Sequence, residues 1–173
     1  MRVSLYMAMS ANGIIARENY DEDFLSHRNW EVFCKLAENI GCFIIGRKTY
    51  EVVKKWKDYN FDSVKAKKIV VSKNMNFELD SGYTPAKSPK DAISKASAMG
   101  FKKVLLTGGS GINSAFMKDG LVDEILLNIE PVVLGKGIRL FAEDNFDSRL
   151  KLINTRKLPK DIIQLHYKVK KSK

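Results

Sequence analysis

Cysteine is nearly missing from this chain, and two structural options go with it. The only two, Cys34 and Cys42, have no metal-type spacing and support no disulfide framework. Long apolar runs are missing as well: no stretch approaches the ~20 residues that a membrane helix needs. The apolar run Val3 to Met9 is too short and interrupted for a signal peptide, so the cytosol is the expected location. No internal repeat or linker divides the 173 residues, which predicts one domain over 1–168 and a solvated basic tail over 169–173.

Acidic charge is the third shortage. Twenty Asp and Glu face thirty Lys and Arg, a formal excess of +10 that favours anionic partners. Nucleic acid, a membrane surface and a phosphorylated cofactor all fit that sign. The aromatics sit in apolar runs instead of alternating with basic residues, which speaks against a nucleic-acid module. With 45% hydrophobic residues the chain has ample material for a packed core.

What is present alternates between two periods. Val3–Met9, Cys42–Ile45, Lys68–Ser72 and Lys103–Thr107 read as buried strands. Apolar residues at helical spacing predict a helix from about Glu22 to Asn39, closed by Gly41. Shorter helices are expected over Thr49–Lys55, Asp91–Met99 behind Ser88-Pro89, and Asn113–Lys118. Between Lys73 and Pro89 a loop with one short strand, near Phe77 or Tyr83, is expected. Glu124–Ile129 reads as a strand extended by Pro131–Leu134, and Leu150–Thr155 with Ile162–Val169 as a hairpin. This order predicts an α/β fold: a mostly parallel sheet with antiparallel C-terminal strands.

Three strand ends carry polar chemistry. Thr107-Gly108-Gly109-Ser110-Gly111 joins a strand to a helix, where glycines admit a ligand and free N–H groups suit a phosphate. Ser114 stands where a full dinucleotide fingerprint needs its third glycine, so the segment could equally be a plain turn. Gly46-Arg47-Lys48-Thr49-Tyr50-Glu51 opens a helix with a forked cation and a hydroxyl. Ser72-Lys73 ends the third strand. Ligands of open α/β sheets bind outside the carboxyl ends of strands, so the three segments are expected to converge on one phosphorylated ligand.

These segments, in this order, resemble the dihydrofolate-reductase-like superfamily. Ser10-Ala11-Asn12-Gly13-Ile14-Ile15-Ala16 looks like its turn after the first strand, and Gly46 to Glu51 like its second helix start. Leu121-Val122-Asp123-Glu124 and Glu130-Pro131-Val132-Val133-Leu134-Gly135-Lys136-Gly137 resemble the signature of the riboflavin-pathway reductase domain. The resemblance implies a three-layer fold, NADPH as cofactor and a flat nitrogen heterocycle, pterin or pyrimidine, as substrate. Ala8, Ile15 and Ala16 would border the nicotinamide, and Arg47, Ser72 and Lys73 would hold the adenosine 2′-phosphate. Lys48 and Thr49, with the backbone of Gly109, Ser110, Gly111 and Ile112, would cradle the pyrophosphate, and Gly46, Thr107 and Gly108 would belong to the same cofactor site.

For the substrate, the resemblance implies contacts from Tyr6, Met7, Trp30 and Asn128, with no metal. Dihydrofolate reductases place a buried carboxylate on the first helix; counting back from Gly46 reaches Trp30, with Glu31 adjacent and Asp23 as second candidate. Leu127 and Asn128 stand where a threonine often accompanies that acid. The short Gly46–Glu51 element favours reduction of dihydrofolate. The alternative is the riboflavin-pathway reductase, which reduces 5-amino-6-(5-phosphoribosylamino)uracil or its 2,5-diamino pyrimidinone analogue to the ribityl form; the basic stretch on its first helix that holds the substrate phosphate is represented here only by His27, Arg28 and Lys35. The riboflavin branch also implies a homodimer through the C-terminal strands. A cationic binding module without turnover is the non-enzyme reading, marked by steep salt dependence.

Overall fold

The computed structural model describes residues 1–170. An eight-stranded sheet runs in the order β5-β4-β3-β6-β1-β7-β10-β9. Its strands are β1 (Arg2–Ser10), β3 (Cys42–Gly46), β4 (Lys67–Val71), β5 (Tyr83–Ala86), β6 (Lys103–Leu106), β7 (Glu124–Glu130), β9 (Leu150–Lys157) and β10 (Ile163–Val169). Six of them, β5 through β7 in spatial order, are parallel; β10 is antiparallel to both β7 and β9. The small β2 (Ile14–Ala16) pairs with β8 (Ile138–Arg139) beside the main sheet.

Among the described residues four α-helices complete the fold: α1 (His27–Ile40), α2 (Arg47–Val53), α3 (Pro89–Ala98) and α4 (Ser110–Lys118). They form the outer layers because each lays a short apolar stripe on the sheet. Phe33 and Ala37 of α1 and Tyr50 and Val53 of α2 join Tyr6, Phe43 and Ile45 in one core. Ala92 and Ala96 of α3 and Phe116 and Met117 of α4 join Leu5, Ile44 and Leu106 in the other. Successive residues of β1 and β3 thus feed opposite faces, as the strand period of two requires.

Several sequence expectations shift. The first helix starts at His27, not Glu22, because Asp21 accepts the Asp23 N–H and Glu22 O the Leu25 N–H, folding 21–25 into turns. The second helix begins directly at Arg47. Pro131–Leu134 does not extend β7: the Val132 N–H turns back to Glu130 O, and Val133 is exposed. The chain then returns as β8, where Gly137 (φ +151°) lies so close that a Cβ would come 2.6 Å from Ala16 O. The expected tail is partly strand: Lys168 and Val169 close β10, and the Lys170 N–H donates to Arg149 O. Residues 171–173 of that tail lie outside the described residues.

Candidate functional site

The sheet reverses its winding between β3 and β6. The connection after β3 runs through α2 on one face, and that after β6 runs through α4 on the other. Such a switch point opens a crevice at the carboxyl edge. Two hydrogen bonds tie its sides together: Thr107 N–H to Ile44 O at 3.0 Å and Gly46 N–H to Gly108 O at 2.8 Å. The Gly108–Gly109 peptide is cis, and Gly108 holds φ +82°. A Cβ on Gly108 would meet Met7 Sδ at 2.9 Å; one on Gly109 would meet Thr49 Oγ1 at 3.0 Å. Glycine is therefore dictated at both positions by close approach.

The crevice brings most of the expected cofactor residues together. Thr107 to Ile112 form the turn and first turn of α4, where the N–H groups of Ser110 and Gly111 find no acceptor among the described residues. Gly111 faces open space, and Ile112 packs on Gly46. Arg47 and Lys48 stand at the end of β3; Arg47 is half-buried and pairs with Glu51 at 3.2 Å. Ser72 and Lys73 follow the neighbouring β4, with Lys73 exposed and the Ser72 hydroxyl bonded to Asn74 O. Ala16 is buried in the β2–β8 pair and is not among the residues that line the cavity described next.

Beside the crevice lies a cavity of about 540 Å³. Met7, Ala8, Ile15, Thr49 and Thr107 line it on the crevice side, and Trp30, Phe33, Trp56, Tyr59 and Phe61 wall it with aromatic rings. Trp30 lies 5.4 Å from Tyr59 and 6.0 Å from Phe61 between ring centroids, a wall suited to a flat ring. Tyr6 also lines it, and burial drives its phenol to stay protonated. Its hydroxyl donates to Asn29 O at 3.0 Å and accepts from Asn128 Nδ2 at 3.0 Å. Asn128 is fully buried, further bonded to Asn29 and Gln164, and is not itself among the lining residues.

The two carboxylates expected to assist catalysis fall elsewhere. Glu31 is exposed on the outer side of α1, outside the cavity lining, and its hydrogen bond to Arg28 at 2.8 Å lowers its pKa. The reason is helical phase: Glu31 is two residues from both Asn29 and Phe33, the buried positions, so it points roughly 200° from them. Asp23 does line the cavity, but the hydrogen bonds from Arg17 hold it ionised and low in pKa. The residue that sequence reasoning passed over is Glu22. It lines the cavity, half-buried, and burial, reinforced by nearby Asp21, pushes its pKa up to about 7. Its carboxyl makes no hydrogen bond among the described residues. The only sequence signal was an acidic triplet, Asp21-Glu22-Asp23, ahead of Phe24-Leu25.

With this geometry in hand, comparison with known proteins is decisive for the family. The family model of the RibD C-terminal domain matches residues 2–164. The chain belongs to that family. YwjB of Bacillus subtilis, an uncharacterized protein, is 26% identical over 166 residues, spanning 94% of this chain and 95% of YwjB. A pyrimidine reductase-like protein of Corynebacterium diphtheriae superposes with a TM-score of 0.80 at 16% identity, covering 99% of this chain and 92% of that one. RibD of Acinetobacter baumannii superposes at 0.78 with 18% identity, covering 98% of this chain but 58% of that protein. At such identities the superpositions establish the fold, the α/β architecture with a dihydrofolate-reductase-like sheet that the sequence pattern implied. The family match backs the riboflavin-pathway alternative and lends no support to the dihydrofolate reading favoured from the sequence. Among the described residues no helix is long and apolar enough to cross a membrane, and no cluster of His, Cys, Asp and Glu could hold a metal.

Proposed function

We propose that this protein is an NADPH-dependent reductase whose substrate carries a flat, nitrogen-containing ring of the pyrimidine class. The observation that carries this reading is the adjacency of two unlike compartments. A glycine-lined crevice with free N–H groups and cations opens through Thr49 and Thr107 into an aromatic-walled cavity. One compartment suits phosphates and the other a planar ring.

The residues present fit the dinucleotide. Open space at Gly111, with no hydrogen-bond acceptor for the Ser110 and Gly111 N–H groups among the described residues, leaves the α4 start bare for a pyrophosphate. Arg47 and Lys73, at the ends of adjacent strands, supply the positive charge that a 2′-phosphate needs. NADPH, when bound, supplies the hydride. The chain's own part is alignment and proton supply. Met7 and Ala8 on β1 form the floor where the crevice meets the cavity, and Trp30 and Phe61 restrict a ring to one plane. A C=N bond would accept hydride at its carbon more readily with a proton donor beside its nitrogen. Glu22 suits that donation, because a carboxyl with pKa about 7 is still half protonated at neutral pH.

The test is loss of reduced-nicotinamide absorbance when purified protein is mixed with NADPH and ribosylaminopyrimidines or dihydrofolate. Turnover with a pyrimidine and none with dihydrofolate supports the reading. Turnover with dihydrofolate alone would replace the substrate class, and no rise in melting temperature with NADPH would sink the reductase reading itself.

A further inference from the structure

Arg47 and Ser72 leave the sheet side by side. β3 and β4 are parallel, and their last paired residues are Gly46 and Val71. From that pair the chain continues as two arms. One is α2, which opens with Arg47, Lys48 and Thr49. The other is the segment 72–82, which begins with Ser72-Lys73 and has no helix or strand of its own before β5. The positive charge available to a 2′-phosphate is thus divided between a regular arm and an irregular one.

A second tie joins the two arms at their far side. Tyr50, one turn into α2 and buried, donates its hydroxyl to Asp80 Oδ2 at 2.9 Å and accepts the Asp80 N–H at 3.0 Å. Lys54, at the end of the same helix, donates to Asp80 Oδ1 at 2.7 Å. Among the described residues no other hydrogen bond runs from 73–82 to a helix. The Lys54 pair is exposed and of small weight. The Tyr50 pair is of another kind: a buried hydroxyl demands partners, and one of them here is a backbone N–H, so the main chain itself is fixed. Phe77 and Leu79, just ahead of Asp80, pack into the same core as Tyr50 and Val53. Nearer Lys73 the bonds are only local, from the Ser72 hydroxyl to Asn74 O and from the Asn76 N–H to Asn74 Oδ1.

We propose that Asp80 is a positioning residue for cofactor choice: bonded to Tyr50, it sets the spacing of Lys73 from Arg47 and so prepares the crevice for a 2′-phosphate. The proposal rests on the NADPH reading above and deepens it. Asp80 acts through the loop that carries Lys73, not by contact with the phosphate. With the arms closed at both ends, the sheet pair at one and the Tyr50–Asp80 tie at the other, less freedom is lost when two cations converge on one anion. The pyrophosphate and the nicotinamide are common to NADPH and NADH. The effect of Asp80 therefore falls on the one group that distinguishes them.

The experiment titrates the full chain with NADPH and with NADH and follows the fluorescence of Trp30 and Trp56, which line the adjoining cavity. The quantity read is the ratio of the NADH to the NADPH dissociation constant. Tyr50→Phe keeps the ring, with its packing on Tyr83 at 4.9 Å, and removes only the tie. It should lower the ratio about fivefold by weakening NADPH, with NADH within about twofold of the parent. Asp80→Ala should do the same, and Asp80→Asn, which keeps an acceptor for the Tyr50 hydroxyl, should recover most of the ratio. An equal loss for both cofactors in Tyr50→Phe and Asp80→Ala, the mark of a merely structural role, would overturn the proposal, as would an unchanged ratio. Failure of the underlying reading looks different: a parent chain that binds neither cofactor, or both alike, removes the NADPH site and the proposal with it before any variant is made.

Discussion

Gly109 and Thr49 face each other across the crevice so closely that a methyl group on Gly109 would stand 3.0 Å from Thr49 Oγ1. A contact that tight forces a shift of a few tenths of an ångström in one side of the crevice. Gly109→Ala is therefore expected to weaken NADPH about tenfold while lowering the melting temperature by only a few degrees. Gly109→Ala combined with Thr49→Ser, which leaves the same oxygen in place, should not recover affinity, whereas Thr49→Ala should recover part of it. Thermal shift against NADPH concentration decides; full affinity in Gly109→Ala would show that the cofactor does not use this turn.

Arg47 is held at the mouth of the crevice by Glu51 at 3.2 Å, a half-exposed i,i+4 pair of small energetic weight. The guanidinium can leave it at little cost for a doubly charged phosphate. Arg47→Ala should raise the KM for NADPH by about tenfold or more and leave that for NADH within about twofold. Equal losses for both cofactors would remove Arg47 from the 2′-phosphate site.

How much of this was legible in the sequence depends on range. β1, β3 and the glycine turn are legible because their signals are local: buried apolar runs closed by Asn12-Gly13 three residues after β1 and by Gly46 at the end of β3. The pattern places the start of α1 about a turn and a half too early, because Leu25 is apolar at helical spacing yet lines the cavity instead of the core. β8 was invisible: two residues long, it exists only because Gly137 lets the chain press against Ala16, over a hundred positions away. The Glu130–Asn29–Asn128–Tyr6 network, which Gln164 joins, is equally hidden, since its members come from three strands and a helix that meet only in the fold. Glu31 could have been rejected from phase alone.

Glu22 gives a pH prediction with a definite sign. Its folded pKa, about 7, lies above the ordinary carboxylate value, so the folded protein keeps a proton that the unfolded chain has released. Its contribution to stability is fully present below the unfolded pKa and is lost as pH rises through 7. Glu22→Gln should accordingly raise the melting temperature at pH 8, each ~1 kcal/mol being worth about 2–4 °C in a chain of this size. At pH 4 the variant should melt with the parent. The same substitution should flatten the fall in the reduction rate that the parent shows as pH rises through 7. A parent profile flat over that range would remove Glu22 as proton donor.

β9 is an open sheet edge that nothing in the chain covers among the described residues. Leu152 and Ile153 are each about half exposed there, and Leu150 adds a third apolar side chain. A register break opposite His166 and Tyr167 leaves Ile153 out of the ladder with β10. An unpaired edge with this much apolar surface is a surface for strand or face pairing, and self-association of two copies is the expected outcome. Full burial of each such side chain is worth about 1.5–3 kcal/mol, so a single charge in the patch should be felt. Leu152→Lys should shift the protein from dimer to monomer in sedimentation velocity at micromolar concentration, with NADPH binding preserved because β9 lies three strands beyond β1. A parent chain that sediments as a monomer would refute the pairing, and a variant that stays dimeric would place the interface on another face.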